Sequence, residues 1–318
     1  MVEFSQPDAV NFLQGKYGND LFTQETVYSP GMILKKTDKG EGTSWSLFKF
    51  PQKGQKMIIL SYDGQTSPTF QNSWLPLHPE WKDRITIVDM YQKPLERVTS
   101  MGDQRFLDVG YETMKMTLDI LERLRGHYIA VDAFYMLNER VKAGMRKQAG
   151  LGLNSSLTGG NLKVWEFRNQ FYSRMAQLMY QNSFICPIIT NQTTSLDLDQ
   201  IFDGKVEPTK VEMWLSSTFR HVISIKKVFK AGKGNSRFYA VYESLKDINL
   251  GTEGEIVDIT GDRPIFDPAK MALYDRSQES LIPVKTPLIE QVPQESEPEK
   301  VKPRTEELTN NNEGGFFL

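Results

Sequence analysis

The fold of this chain is decided by residues 31–47, GMILKKTDKGEGTSWSL. The stretch begins with a short apolar segment of strand length, continues with a glycine-bearing turn, and ends in the opening of a helix. A tight turn with exposed backbone N–H groups, followed by a helix N-terminus, is a favourable place for an anion. The stretch therefore predicts a strand, an anion-binding turn and a helix, in this order.

The turn departs from the phosphate-binding signature G-x-x-x-x-G-K-[ST] at its lysine. Read against the variant G-P-E-G-T-G-K-T, residues 39–46 keep the Glu-Gly-Thr centre, but Ser44 replaces the second glycine and Trp45 the lysine. Aligning Gly42 with the second glycine instead puts Thr43 at the lysine. In both alignments the charge that would meet the β- and γ-phosphates is missing. The residues predicted to line the phosphate site are Gly40, Gly42, Thr43, Ser44 and Ser46.

Composition excludes several classes of protein. With 318 residues, of which 39% are hydrophobic and 25% charged, the chain can bury a large core. The formal net charge of −2 predicts that any binding of nucleic acid depends on local basic patches. The single cysteine, Cys186, excludes an internal disulfide framework and is typical of a cytoplasmic protein. The sequence has no segment typical of a signal peptide and no apolar run of membrane-spanning length, so we expect no membrane association.

Segments of strand length alternate with segments of helical periodicity. The amphipathic segments at 106–125 and 164–181 have helical spacing, and residues 67–81 are predicted to form a loop. Residues 210–228 and 237–244 are predicted as two strands that flank a turn. The apolar runs of strand length are 32–35, 56–61, 84–89, 127–132 and 184–190. This order predicts an α/β fold with a mostly parallel sheet flanked by helices and a C-terminal β-hairpin.

Three regions are predicted along the chain. Residues 1–28 are a polar lead-in, and residues 29–268 form the core domain. Residues 269–318 are rich in Pro, Glu, Lys and Asn, with few apolar residues before Phe316, Phe317 and Leu318. This composition predicts an extended, largely disordered tail. The aromatic end of such a tail is a candidate docking peptide for a protein partner, and an unimportant extension is the alternative.

Four features in one order resemble the RecA/RadA recombinase superfamily of P-loop ATPases, with its archaeal paralogues and phage-encoded relatives. They are the strand, glycine loop and helix at 32–50, the apolar strand ending in Asp132, the strand end at 188–192, and the cationic segment at 217–227 before the hairpin. The resemblance covers residues 28–265 and implies a RecA-like fold. It also implies self-association into rings or filaments.

The resemblance implies roles for three polar residues and a cofactor. Asp132 matches the acid that holds Mg²⁺ through water, and its alternative role is to cap a loop at a strand end. Asp63 matches the acid that orients the attacking water, although Asp63 and Gly64 can also simply form a turn. Gln192 matches the glutamine that senses the γ-phosphate, and a loop amide is the alternative. The implied cofactor is ATP with Mg²⁺, and the missing lysine leaves open that the chain binds none.

Two basic regions are predicted to contact single-stranded DNA. Residues 138–163 are predicted to form a flexible basic loop that tracks phosphates, or else a solvated crossover loop. Its candidate residues are Arg140, Lys142, Arg146 and Lys147. The hairpin carries Arg220, Lys226 and Lys227, which face nucleic acid, a neighbouring subunit or only solvent. The loop after Gln192 has three aspartates against one lysine, which disfavours phosphate contact.

Three functions remain open from the sequence. The first is a RecA-like DNA-binding accessory protein of recombination, repair or replication with a degenerate, non-hydrolysing nucleotide site. The second is an active ATPase with an atypical loop, and the third is an assembly or adaptor protein that uses the fold as a scaffold. Removal of the lysine charge from a dry phosphate site weakens stabilisation of the transition state by about 3 kcal/mol, by analogy with loss of an oxyanion donor. The missing lysine therefore favours inefficient hydrolysis.

Overall fold

The structure, a computed structural model, describes residues 29–36, 42–155, 162–192, 210–228 and 236–277. The predicted lead-in 1–28, Gly40, and the tail residues Phe316, Phe317 and Leu318 lie outside these residues. Among the described residues, no helix combines the length and the apolar character needed to cross a membrane.

The described residues form one eight-stranded sheet with the spatial order β3-β2-β4-β5-β1-β6-β7-β8. The strands are β1 (Met32–Lys36), β2 (Met57–Ser61), β3 (Ile85–Asp89), β4 (Gly126–Asp132), β5 (Ser183–Gln192), β6 (His221–Val228), β7 (Arg237–Ser244) and β8 (Ile256–Asp258). The helices are α1 (Thr43–Leu47), α2 (Thr66–Thr69), α3 (Lys93–Glu96), α4 (Gly102–Arg123), α5 (Phe134–Gln148), α6 (Leu162–Asn182), α7 (Lys210–Thr218) and α8 (Pro268–Ala272).

The sheet is mostly parallel, as predicted. The strands from β3 to β6 pair in parallel, whereas β6 with β7 and β7 with β8 pair antiparallel. The predicted C-terminal β-hairpin is thus confirmed as β6 and β7, with β8 added at the edge. Because parallel strands end on the same side of a sheet, the last residues of β1, β2, β4, β5 and β6 share one edge, which we call the carboxyl edge.

Two hydrophobic cores cover the two faces of the sheet. The first, on the face that we call the α1 face, joins Met32, Leu34 and Ile59 to Leu47 and Phe48 in and after α1. The second joins the alternate strand residues, such as Ile33, to the long helices α4, α5 and α6. Successive side chains of a strand point to opposite faces, so each buried strand contributes to both cores. This double burial explains why the strands are apolar throughout, which made them recognisable in the sequence.

Three predicted loop or strand segments are helical instead. Residues 138–148 of the predicted loop 138–163 belong to α5, because Leu137, Val141 and Met145 form a fully buried stripe at helical spacing. Residues 210–218 form α7 rather than the first part of a strand, and the strand begins only at His221. Residues 66–81, predicted as a loop from residue 67, contain α2, a π-helical turn and a short 3₁₀ helix.

Helices α4 and α5 cross at a pair of glycines. A Cβ added to Gly110 would lie 2.5 Å from both the carbonyl oxygen of Arg140 and the backbone nitrogen of Gly144. A Cβ added to Gly144 would lie 2.6 Å from the Met114 sulfur. Real Cβ atoms do not approach other atoms this closely, so the crossing requires glycine at both positions.

The chain after β7 packs back over the α1 face as far as Ser277. The Tyr242 ring stacks on Phe266 with 5.0 Å between ring centres, and Met271 and Tyr274 belong to the first core. Nη2 of Arg276 donates to the carbonyl oxygens of Ser183 at 2.7 Å and Tyr180 at 3.0 Å. Ordered packing therefore continues past residue 268, where the sequence predicts the end of the core domain.

Candidate functional site

The centre of the candidate site is Asp132, the last residue of β4. It is only 1% exposed, and the peptide bond that follows it is cis. Thr66 Oγ1 lies 2.7 Å from Oδ2 of Asp132 and 2.9 Å from Ser61 Oγ, and Thr190 Oγ1 donates to Oδ1. Since a hydroxyl carries one proton, Thr66 donates to the carboxylate and accepts from Ser61. Both oxygens of the buried carboxylate therefore have a donor, as burial of a charge requires.

Strand register brings the predicted Gln192 to the same place. Val131 pairs with Ile189, which puts Asp132 level with Thr190 on the neighbouring strand. Gln192 is two residues further along β5 and is half-buried, so it projects to the same face as Thr190. Because Ala130 and Ile188 belong to the first core, this is the α1 face. The predicted acid and amide thus share one face of the carboxyl edge.

Asp63 lies beside this cluster but forms a turn. Its Oδ1 accepts a hydrogen bond of 2.9 Å from the backbone nitrogen of Gln65, and Gly64 has φ = 70°. An aspartate that bonds the backbone two residues on is typical of a turn. Burial raises the pKa of the Tyr135 hydroxyl, and the charges of Asp63 and Asp132 raise it further. The water-orienting role of Asp63 stays a prediction.

Gly42 and Thr43, which we call the Gly42 turn, lead into α1 on the same face. Gly42, the residue before α1, has φ = 82°, a conformation that favours glycine. Ser46 Oγ donates to the Gly42 carbonyl oxygen at 2.8 Å, so its hydroxyl is turned toward its own helix. Thr43 Oγ1 is buried and has no hydrogen-bond partner among the described residues. An orphaned buried hydroxyl of this kind suits a ligand oxygen, and half-buried Ser44 follows it.

Trp45, which replaces the motif lysine in one of the two alignments, is packed into an aromatic cluster. Its ring centre lies 5.5 Å from Trp74 in an edge-to-face arrangement and 5.3 Å from Phe238. The ammonium nitrogen of Lys49 lies 4.0 Å from the Trp45 ring centre. Such contacts each stabilise by about 0.5–1.5 kcal/mol beyond the area buried. Trp45 is therefore part of the packing on the α1 face.

Lys35 of β1 is a further basic residue near the carboxyl edge, and it forms an ion pair. Lys35 follows Ile33 with the strand period of two, so it projects to the face opposite α1. There its ammonium nitrogen lies 3.4 Å from Oε2 of Glu243 on β7. Lys35 is thus oriented away from the α1 face, where Asp132 and Gly42 lie.

The four basic residues predicted in the first DNA loop lie on α5 and contact neighbouring residues. Arg140 lies over the Tyr91 ring at 5.5 Å, and burial lowers its pKa. Lys142 pairs with Glu139 at 2.6 Å, and Lys147 pairs with Asp108 of α4 at 2.6 Å. Arg146 donates to the carbonyl oxygens of Lys142 and Ser155. These contacts are typical of a packed helix, so DNA binding by these residues stays a prediction.

The basic residues of the hairpin are divided between two edges. Arg220 precedes β6 and is exposed, whereas Lys226 and Lys227 lie near the carboxyl end of the strand. At about 3.3 Å per residue, Arg220 and Lys227 are about 23 Å apart. Of these three residues, Lys226 and Lys227 thus lie toward the carboxyl edge of the sheet, and they project to opposite faces.

The hydroxyl groups around Asp132 were not predicted. Thr190 was visible within the predicted strand end, but its contact with Asp132 depends on the pairing of β4 with β5. Thr66 lies in a segment predicted as a turn and loop, and its role depends on the fold of that segment. Among the described residues, no group of three or more His, Cys, Asp and Glu side chains is arranged to hold a metal ion. A cation at Asp132 would therefore need ligand or water oxygens to complete its coordination.

Comparison with known proteins gives structural matches alone. No family model matches the sequence, and no curated protein does. The flagellar accessory protein FlaH from Methanocaldococcus jannaschii matches with TM-score 0.39 and 12% identity, over 76% of this chain and 89% of that chain. The RadB recombinase matches with TM-score 0.41 and 15% identity, over 74% and 90%. An ATPase from a bacterial type III secretion system matches with TM-score 0.35 and 12% identity, over 62% and 52%.

Proposed function

We propose that this chain is a RecA-like protein that binds a nucleoside triphosphate with Mg²⁺ at the carboxyl edge, hydrolyses it inefficiently, and acts as a DNA-binding accessory of recombination, repair or replication. One observation carries the proposal. The Gly42 turn, Asp132 and Gln192 share one edge and one face of a parallel sheet, while Trp45 is packed in the core. Ligands of open α/β sheets bind outside the carboxyl ends of the strands.

The residues present fit the nucleotide in part. Asp132 would hold Mg²⁺ through water, Thr43 and the Gly42 turn would meet phosphate oxygens, and Gln192 would contact the terminal phosphate. The bound Mg²⁺ would neutralise phosphate charge. The carboxylate of Asp132 already accepts bonds from Thr66 and Thr190, which hold it in place. The position of the P-loop lysine has no cation, and this is the reason for inefficient turnover.

The test is titration with a labelled, non-hydrolysable ATP analogue, with and without Mg²⁺, for the native chain and Asp132→Asn. We expect Mg²⁺-dependent binding by the native chain and about a tenfold weaker Mg²⁺-dependent affinity in the variant, because a charged hydrogen-bonding group is lost. Phosphate release stays near the uncatalysed background in both. A thermal melt of each protein checks that the variant is folded.

Two results would decide against the proposal. Fast phosphate release by the native chain that is lost in Asp132→Asn would establish the alternative, an active ATPase. Absence of nucleotide binding would favour the other alternative, an assembly or adaptor protein that uses the fold as a scaffold. A titration with single-stranded oligonucleotides at two salt concentrations tests the DNA-binding part, because phosphate contacts weaken steeply with salt.

A second candidate, an adaptor that binds protein partners, is favoured by exposed apolar side chains near the start of α4. Met101 is 84% exposed and Phe106 is 65% exposed. Neighbouring exposed apolar side chains are more common at interaction sites than elsewhere on a soluble surface. If nucleotide binding fails, capture of a partner that is lost in Phe106→Ser would support this role.

A further inference from the structure

Lys227 of β6 is linked to the Gly42 turn by one aromatic ring. Lys227 pairs directly with Phe238 on β7, and its ammonium nitrogen lies 5.7 Å from the ring centre. The same ring covers Gly42, where an added Cβ would lie 2.9 Å from a ring carbon. Lys227 and the Gly42 turn are therefore close neighbours, although they are far apart in the sequence.

Strand alternation sets the direction of Lys227. Ile223 and Ile225 contribute to the first core, on the α1 face. Lys227 follows them with the same period of two, so it projects to that face, whereas Lys226 projects to the opposite one. Asp132 and Thr190 lie on the α1 face as well. Lys227 thus brings a positive charge to the face that carries the candidate site.

The register places Lys227 at the end of the site away from Asp132. Lys35 of β1 pairs with Ser224, so Lys227 extends beyond the carboxyl end of β1. Strands β6 and β4 are three spacings apart in the sheet, about 14 Å. The Gly42 turn follows β1, which lies between them. The contact between Gly42 and Phe238 of β7 places the turn beside Lys227 of β6.

We propose that Lys227 supplies, from the neighbouring strand, a positive charge that binds phosphate oxygens of the nucleotide at the Gly42 turn. The inference rests on the nucleotide-binding function proposed above. A lysine binds phosphate as a point charge on a flexible stem, so the direction of its approach is not restricted to the first turn of α1. The Phe238 ring, which covers Gly42, also lies 5.7 Å from the Lys227 ammonium nitrogen.

The adjacent lysine provides a matched control. Lys226 and Lys227 carry the same charge on consecutive residues, but Lys226 pairs with Tyr239 on the opposite face. The experiment compares the native chain with Lys227→Gln, Lys227→Arg and Lys226→Gln. Each protein is titrated at constant ionic strength with adenosine, ADP and a non-hydrolysable ATP analogue. Tryptophan fluorescence and a thermal melt check that each variant is folded.

We expect Lys227→Gln to bind ADP and the ATP analogue about tenfold more weakly or worse, because a charge-assisted phosphate contact is lost. Its affinity for adenosine is unchanged. Lys227→Arg and Lys226→Gln stay within about threefold of the native affinities, since Arg keeps the charge and Lys226 faces away.

Four results would overturn the inference. If Lys227→Gln binds nucleotide as the native chain does, Lys227 has no such role and the proposed function survives. If Lys226→Gln and Lys227→Gln lose nucleotide affinity equally, the loss is a general effect of net charge. If Lys227→Gln weakens binding of a single-stranded oligonucleotide alone, Lys227 belongs to a nucleic-acid surface. Failure of the native chain to bind any nucleotide removes the proposed function together with the inference.

Discussion

At the residue scale, Lys49 is a buried charge that holds two segments together. It is 4% exposed, its ammonium group donates to the carbonyl oxygens of Gly261 and Arg263, and it lies over the Trp45 ring. Burial lowers its pKa from 10.5 to about 8, although Asp262 and Asp258 oppose the shift. Below pH 8 the folded protein carries the full cost of this buried charge.

The shift predicts a stability that rises with pH. Between the folded pKa of about 8 and the unfolded value of 10.5, the unfolded chain holds more protons, so the free energy of unfolding increases as pH rises. We expect the native chain to gain about 2 kcal/mol relative to Lys49→Met between pH 7.5 and 9.5. Denaturant titrations at several pH values measure this difference. In Lys53→Met, a change at an exposed lysine nearby, the free energy of unfolding should depend on pH as it does in the native chain. The same pH dependence in Lys49→Met would contradict the prediction.

Single residues also mark the limit of the sequence analysis. Asp132 and Gln192 were predicted from the family resemblance, to which their positions at the ends of apolar strands contribute. Thr66 was not, because its hydroxyl acts only after the turn following β2 has folded over the end of β4. A hydrogen bond between segments 66 residues apart leaves no local pattern in the sequence.

At the element scale, the crossing of α4 and α5 depends on Gly110 and Gly144. We expect Gly110→Ala and Gly144→Ala each to destabilise the protein by about 1–3 kcal/mol through overpacking. If helix propensity alone decided the outcome, each alanine would instead stabilise the protein by about 1 kcal/mol. The free energy of unfolding, measured by thermal or chemical denaturation, distinguishes these two outcomes. Asp119→Ala, on the exposed side of α4, should stay within about 0.5 kcal/mol of the native chain.

Gly144 is one reason why part of α5 was predicted as a loop. Glycines and basic residues dominate residues 138–163, and this composition is typical of loops. Inside the helix, Gly144 is required by the neighbouring backbone. The strands were predicted correctly because burial on both faces makes them apolar at every position. Helix α7 was misread because its apolar residues run on into those of β6, and no breaker separates them.

At the scale of the whole molecule, Arg276 joins the end of the described chain to the centre of the sheet. Its guanidinium donates to the carbonyl oxygens of Tyr180 and Ser183, where α6 ends and β5 begins. We expect Arg276→Ala to cost about 2 kcal/mol, because charged hydrogen bonds to half-buried carbonyls are lost. Hydrogen exchange should show the loss of protection first in residues 245–277.

A surface arginine provides the comparison. Arg263 is 66% exposed and pairs with Asp258 at 3.0 Å, so Arg263→Ala should cost less than about 1 kcal/mol. Uniform loss of protection over the whole sheet in Arg276→Ala would show that residues 245–277 do not open as a separate unit.

The packing of Trp45 restricts how this site can change by successive mutation. A lysine at position 45 would withdraw an indole from between Trp74 and Phe238 and leave a void beside Lys49. A chain with that single exchange would gain a cation but would place it next to another one. A lysine in the first turn of α1 would therefore require compensating replacements among Trp74, Phe238 and Lys49 on the α1 face. Position 45 is constrained by its packed neighbours, whatever residue a ligand would prefer there.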